Sequence, residues 1–214
     1  MKYIIKNSSP HSLELYKREE GACFNDMPKP IKDEVRDSLF KEQGGICCYC
    51  GKRIASDHTS VIEHLYPKGL KQYAYLQLEY TNLLCSCDGG ESDRTGKSKA
   101  EKRKFPSYCD DKKNNRVLKV HPLCIDCEKK FGYDEEGHIY GLTPEACETI
   151  EILGLDCATL VNLRKAAIEP YVEQQQSDSE WNQIIERLNK KTNGILSSFC
   201  FAVIYYIKNF KMAS

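Results

Sequence analysis

Gly45-Ile46-Cys47-Cys48-Tyr49-Cys50-Gly51 opens a pattern that continues through Glu63-His64, Asn82, Cys87 and Cys109-Asp110. Cys47 and Cys50 form a C-x2-C knuckle, the usual first half of a structural zinc site, and tetrahedral zinc needs two further ligands. Residues 88–108 are polar and basic, contain Gly89-Gly90 and Gly96, and show no hydrophobic period, so they read as an inserted surface loop. With that loop set aside, Cys87 and Cys109 become a second knuckle. A structural Zn held by Cys47, Cys50, Cys87 and Cys109 is therefore expected. Cys48 and Cys85 lie beside these positions, but Cys48 would leave a single-residue gap to Cys50, a poor tetrahedral fit. Cys124 and Cys127 repeat the C-x2-C spacing after His121, with Cys147 or Cys157 as the available partners for a second zinc. Buried or loop thiols are the expectation there.

Between the knuckles lie residues suited to hydrolysing a phosphodiester. That reaction asks for an activated water, neutralisation of developing charge, and relief of the leaving alkoxide. His64 can take a proton from water, since imidazole titrates near neutral pH. Glu63 and Asp110 can hold a hard divalent ion such as Mg or Mn through oxygen, with Asp88 as the competitor for Asp110. Asn82 is uncharged and short, suited to fixing the backbone of the loop that carries His64. Lys113 and its neighbour Lys112, with Arg103 and Lys104 in the inserted loop, are the candidate contacts to nucleic-acid phosphates.

Composition restricts the partners. Thirty-one Lys plus Arg balance 31 Asp plus Glu, so any attraction to nucleic acid must come from local patches. Residues 94–119 are one such patch. The most apolar stretch, 195–207, is too short for a bilayer span of about 20 residues. No signal-type apolar run follows Met1. A cytoplasmic protein with no membrane partner is expected, and its 12 cysteines then read as ligands or free thiols rather than disulfides.

The remaining pattern is mostly helical. Pro28-Lys29-Pro30 breaks the chain before an amphipathic helix from Ile31 to about Glu42, ended by Gly44-Gly45. Val61–Leu65 has strand character, residues 116–120 could be a strand, and His138–Gly141 suggests half of a hairpin. Thr143-Pro144-Glu145 starts a helix over 144–153. Further helices are expected over 156–175 and 178–209, the last broken near Asn193-Gly194. The domain reading is an N-terminal helical segment (1–43), a metal-held core (44–122) and a mainly helical C-terminal region (123–214).

The segments Gly45–Cys50, Ile62-Glu63-His64-Leu65-Tyr66-Pro67-Lys68, Tyr80–Leu84 and Cys109–Lys113 resemble the HNH endonuclease superfamily. More narrowly they are similar to the nuclease subunit of Septu-type anti-phage systems (PtuB-like), whose relatives also accompany retrons. The match covers residues 45–113. It implies an α+β fold with a zinc-braced ββα-metal core, His64 as base and Asn82 as the central asparagine. Asp110 stands where many such enzymes have His or Asn, and the long insertion also departs from the minimal motif. The resemblance further implies DNA as target, with RNA as the alternative, and backbone contacts through the minor groove. Partners implied are an SMC/ABC-type ATPase (PtuA-like) and a retron reverse transcriptase with its RNA–DNA hybrid. Two rival readings stand beside it: a zinc-ribbon binding module without catalysis, and a toxin-like effector whose helices over 144–209 dock another protein.

Overall fold

The computed structural model describes residues 1–102 and 104–212. The fold is α+β. Helix α1 (His11–Tyr16) precedes α2 (Lys29–Gln43), which leads into the Cys47–Cys50 turn. The prolines before it do not break the chain: Pro28 caps α2 and Pro30 lies in its first turn, where a missing N–H costs nothing. Gly44 ends α2 in the left-handed conformation at φ 68°, as its sequence position predicts.

Strand β1 (Ser60–His64) pairs antiparallel with β2 (Leu83–Cys87), with His64 opposite Leu83 and Ser60 opposite Cys87. This two-stranded ribbon would be marginal alone. Gln43 extends it from the end of α2: its amide donates to Ile46 O (3.0 Å) and Cys85 O (2.7 Å), and its oxygen accepts from Cys85 N (2.7 Å). The side chain thus serves as the next rung of the sheet and ties α2 to the cysteine turn.

The insertion after β2 contains two short helical turns, α3 (Glu91–Arg94) and α4 (Lys99–Lys102), before α5 (Cys109–Lys113). Its two ends are stitched together. Tyr108 N donates to Gly89 O at 3.1 Å, and Arg94 reaches Pro106 O (3.1 Å) and pairs with Asp111 (2.6 Å). A side chain at Gly89 (φ 64°) would place its Cβ 2.1 Å from Tyr108 O, so only glycine permits this closure. Cys87 and Cys109 are thereby brought together across 21 intervening residues.

Residues 116–120 form no strand. Both sheets among the described residues are two-stranded and neither includes this segment, whose Leu118 and Val120 are instead buried as irregular chain. The second sheet is the hairpin of β3 (Phe131–Tyr133) and β4 (Ile139–Gly141). Helix α6 (Pro144–Leu153) starts where expected, with the Thr143 hydroxyl accepting from Ala146 N. Helix α7 (Ala158–Val172) follows.

The final helical stretch is broken at the expected place into two helices, α8 (Asp178–Asn189) and α9 (Cys200–Tyr206), with a longer non-helical connection than the sequence suggests. Residues between them turn back at Asn193-Gly194 and dock on the core, with Leu196 N bonding Gly44 O (2.9 Å) and Phe199 N bonding Gly51 O (3.0 Å). Gly51 (φ 78°) leaves room for the Phe201 ring, which a Cβ there would approach to 2.4 Å. The apolar run from Phe199 to Ile207 is mostly internal core.

Gln43→Leu keeps the volume but strands the Cys85 amide and the Ile46 carbonyl in the interior. A loss of about 2–3 kcal/mol is expected, measured by the urea midpoint at unchanged slope.

Candidate active site

Two chemically distinct centres share the β1–β2–α5 unit. The first consists of sulfur. Cys47 and Cys50 come from the turn after α2, Cys87 from the end of β2 and Cys109 from the start of α5. All four are buried, and their Sγ atoms lie within 4.8 Å of one another. The Cys47–Cys109 and Cys50–Cys87 separations are both 3.9 Å. Four thiolates at a zinc bond of about 2.3 Å would sit about 3.8 Å apart along the tetrahedral edges, so the cage fits a structural zinc without rearrangement. Burial alone would raise the Cys47 thiol, but hydrogen bonds from Cys109, Cys48, Cys50 and Cys87 hold it well below its ordinary value. Burial pushes Cys109 the other way, reinforced by its neighbours' sulfurs. A dication bound among the sulfurs would favour the deprotonated form of all four.

Among the described residues this is the one cluster of three or more metal-capable side chains with donors this close. Cys48 and Cys85 are buried beside it as thiols pushed up by desolvation. Cys124 and Cys127 gather no such set. Cys124 Sγ lies 3.9 Å from the Lys119 carbonyl, and Cys127 is buried.

The second centre is a cleft of about 470 Å³ lined by Glu63, His64, Lys68, Asp110 and Phe24, among others. Successive strand residues leave on opposite faces, and β1 uses both. Glu63 turns toward the sulfur cage and α5. Its Oε1 accepts from the Tyr49 hydroxyl (2.9 Å) and pairs with Lys113 Nζ (2.6 Å). Lys113 also donates to His64 O at 2.9 Å and is 1% exposed. It is therefore an internal counter-ion, not a surface contact for phosphate, because the buried Glu63 carboxylate needs compensation and α5 delivers the ammonium to it.

Asp110 faces Glu63. Burial first, then a hydrogen bond donated to Glu63 and the charge of that carboxylate, push the Asp110 carboxyl up to about 9. Two carboxyl groups so close cannot both ionise unless a cation joins them. That donor set suits a hard divalent ion that keeps several waters, and Glu63 and Asp110 would hold it. Asp88 is elsewhere engaged, accepting from Gly90 N (3.1 Å) and Ser92 N (2.9 Å) to shape the insertion.

His64 turns the other way. Its Nε2 meets the Gln77 carbonyl at 3.0 Å, and its ring stands edge-on to Phe24 with centroids 4.4 Å apart. A carbonyl only accepts, so Nε2 carries the proton and Nδ1 keeps the lone pair. Desolvation lowers the imidazole below its ordinary 6.5, opposed by the Gln77 bond and Glu63. Asn82 spans the intervening loop: Oδ1 accepts from Tyr66 N (2.8 Å), and Nδ2 donates to Tyr66 O (3.1 Å) and Leu76 O (3.2 Å). It acts on the backbone and touches no cleft group.

The other sequence candidates are dispersed. Lys112 lies across Gly154, Lys104 is exposed in the insertion, and Arg103 falls outside the described residues. Tyr49, Gln77, Phe24 and Lys68 belong to the cleft or its support yet had no assigned role. Only Tyr49 and Lys68 left a trace in the sequence, by their place inside the quoted motifs.

No protein-family profile matches the chain. It is 29% identical over 183 residues to a Vibrio cholerae protein (serotype O1 biovar El Tor) named "Retron Vc95 putative HNH endonuclease", covering 78% of this chain and 82% of that protein. The chain is thus similar to a protein named as an HNH endonuclease, in keeping with the resemblance in its motifs. Strand β1 carries the acid and the histidine, and α5 carries both the last sulfur and the second carboxyl group.

Lys113→Met leaves the Glu63 carboxylate buried without a cation, at a cost of about 3–5 kcal/mol in the absence of added divalent ion. Added Mn should then raise the melting temperature more in the variant than in the wild type. Equal shifts measured by scanning calorimetry would contradict the placement of an ion on Glu63.

Proposed function

We propose that this chain is a metal-dependent nuclease that hydrolyses nucleic-acid phosphodiester bonds in the Glu63–His64–Asp110 cleft. The observation that carries the reading is the His64 imidazole, which lines the same cleft as Glu63 and Asp110: burial favours its neutral form, and the Gln77 carbonyl at 3.0 Å fixes the tautomer and leaves Nδ1 as the proton acceptor. A Mg or Mn ion on Glu63 and Asp110 would neutralise charge on the phosphoryl oxygens and the leaving alkoxide. His64 accepts the proton of the attacking water at Nδ1. Lys113 and Tyr49 hold Glu63 in place, and Asn82 holds the loop leading from His64 toward Gln77. The sulfur cage carries structural zinc and has no chemical part.

The relative's printed name sets that protein in a retron, and it supports a similar setting here. On this reading the chain is the effector nuclease of an anti-phage system of the Septu or retron type, working in the cytoplasm. An SMC/ABC-type ATPase restrains it, and a reverse transcriptase with its RNA–DNA hybrid is the further partner. All 12 cysteines are free, in keeping with a reducing compartment. Among the described residues no helix is long and apolar enough to cross a membrane.

Supercoiled plasmid and a folded RNA, each incubated with Mg or Mn, test the activity and its preferred target. His64→Ala should slow cleavage by at least about 100-fold while leaving the melting temperature near that of the wild type. Cleavage unaffected by the substitution would remove His64 from the reaction; a wild type inert both alone and with its ATPase partner under activating conditions would favour a binding module.

The acid limb of the single-turnover rate should lie below pH 6.5. The sign follows from the direction of the shift: a lowered imidazole pKa keeps the proton-accepting form populated as pH falls, so activity persists into mildly acid solution. A limb displaced above pH 6.5 would mean that another group accepts the proton.

A further inference from the structure

Phe24 lies in the connection between α1 and α2, far in sequence from every motif, yet it forms one wall of the cleft. Its position is fixed twice by one residue. Gln77 accepts from Phe24 N through its side-chain oxygen at 3.1 Å, and its main-chain oxygen holds His64. The Phe24 and His64 rings meet edge to face at an interplanar angle of 82°.

Two ammonium groups occupy that region. Lys68 Nζ is 4.9 Å from the Phe24 centroid and Lys32 Nζ is 5.4 Å. Both distances lie within the range of cation–π attraction. Asn25 ties the two together, accepting from Lys68 through Oδ1 and from Lys32 through its carbonyl at 2.9 Å. Lys68 comes from the loop after β1 and lines the cleft with Glu63, His64 and Asp110. Lys32 comes from the first turns of α2.

No carboxylate pairs with either lysine among the described residues. The acids nearest in sequence are committed elsewhere. Asp26 accepts from Cys23 Sγ (3.1 Å), while Asp33 pairs with Lys29 and with Arg36 (2.7 Å). Two like charges are therefore held beside one ring by neutral groups alone. Burial lowers the Lys68 ammonium and the charge of Lys32 lowers it further, as expected of a cation site waiting for an anion.

We infer that Lys32 and Lys68, set on Phe24 and Asn25, form a cradle for a backbone phosphate of the nucleic-acid strand entering the cleft. The cradle takes the role that the buried Lys113 cannot. It reads backbone rather than bases, so it confers register on the strand and no sequence preference. The inference rests on the nuclease reading only for the identity of the cleft; binding to the cradle does not require cleavage.

The test measures binding without chemistry. Fluorescence polarisation would follow a short DNA duplex and a single-stranded RNA of matching sequence across a range of salt, in buffer freed of unbound divalent ions. Gel analysis verifies that the strands stay whole. For the ligand that binds, Lys32→Gln and Lys68→Gln should each lower the log–log salt slope by about one, and the double variant by about two. The double variant should also bind at least about 10-fold more weakly, with Lys→Arg substitutions restoring most of the affinity. Lys29→Gln, on the same helix but paired with Asp33, should change neither quantity. Circular dichroism establishes that the fold is kept. DNA or RNA dependence of the slope change identifies the source of the phosphate.

An unchanged slope in the double variant overturns the cradle, as does a wild type that binds neither strand. The nuclease reading is judged separately, by His64-dependent cleavage with Mg or Mn. A lost slope with no cleavage would keep the phosphate site and discard the hydrolysis.

Discussion

The four-sulfur cage is the constraint on which the rest of the site hangs. Its ligands come from three elements as much as 62 residues apart, and they meet where two five-residue strands and a five-residue helix converge. Elements so short bury too little apolar surface to fix one another. A dication held there would supply what the core lacks, because ligand geometry penalises every displacement of the backbone that carries it. Tyr49 then passes that order to the cleft: it stands between two cage cysteines and holds Glu63 by its hydroxyl. Cys109 does the same through the chain, since Asp110 follows it directly and Lys113 lies one helical turn on. The cage and the cleft are one construction.

Charge is arranged locally because none is available globally. With equal numbers of acids and bases, a long-range field cannot guide a polyanion to the site. Instead one lysine is sealed inside against Glu63, and two more are held at the cleft wall by an asparagine and a ring. A buried ion pair adds little net stability over an apolar replacement, but it fixes geometry, since either partner alone would be an uncompensated charge. Lys113 illustrates the point. Four residues from the last cage cysteine on a one-turn helix, it reads from sequence as a surface cation. Only the position of β1 reveals that its ammonium points inward.

What the sequence made legible divides along physical lines. Metal ligands impose spacing, so the cage could be read across an insertion of 21 residues. Helix ends announce themselves through Gly44, Thr143 and Pro144, whose backbone demands are local. Strand β1 was visible in the strand character of Val61–Leu65 around Glu63. The failures all involve partners distant in the chain. Residues 116–120 have strand-forming composition but no strand beside them. Residues 190–199 fall inside the expected helical stretch, yet Thr192 and Ile195 bond each other across a turn while the Leu196 and Phe199 amides bond Gly44 and Gly51. Phe24 sits in a polar stretch with no period, and nothing short of the fold shows that it faces His64.

The choice of partner for His64 explains why two carboxyl groups can remain in the same cleft. A carboxylate beside an imidazole orients it but also favours the charged, proton-bearing form; His138 has such a partner in Asp156, 3.1 Å away on the outer surface. The Gln77 carbonyl fixes the same ring geometry without contributing a full negative charge. His64 can then be buried against Phe24 and stay neutral, while Glu63 and Asp110 remain free to hold a cation on the proposed reading. Had the orienting group been an acid, three carboxyl groups would crowd one small cleft, and the imidazole would favour the protonated form, which cannot serve as the proposed base. The backbone carbonyl separates orientation from charge, and the loop that presents it is the one pinned by Asn82.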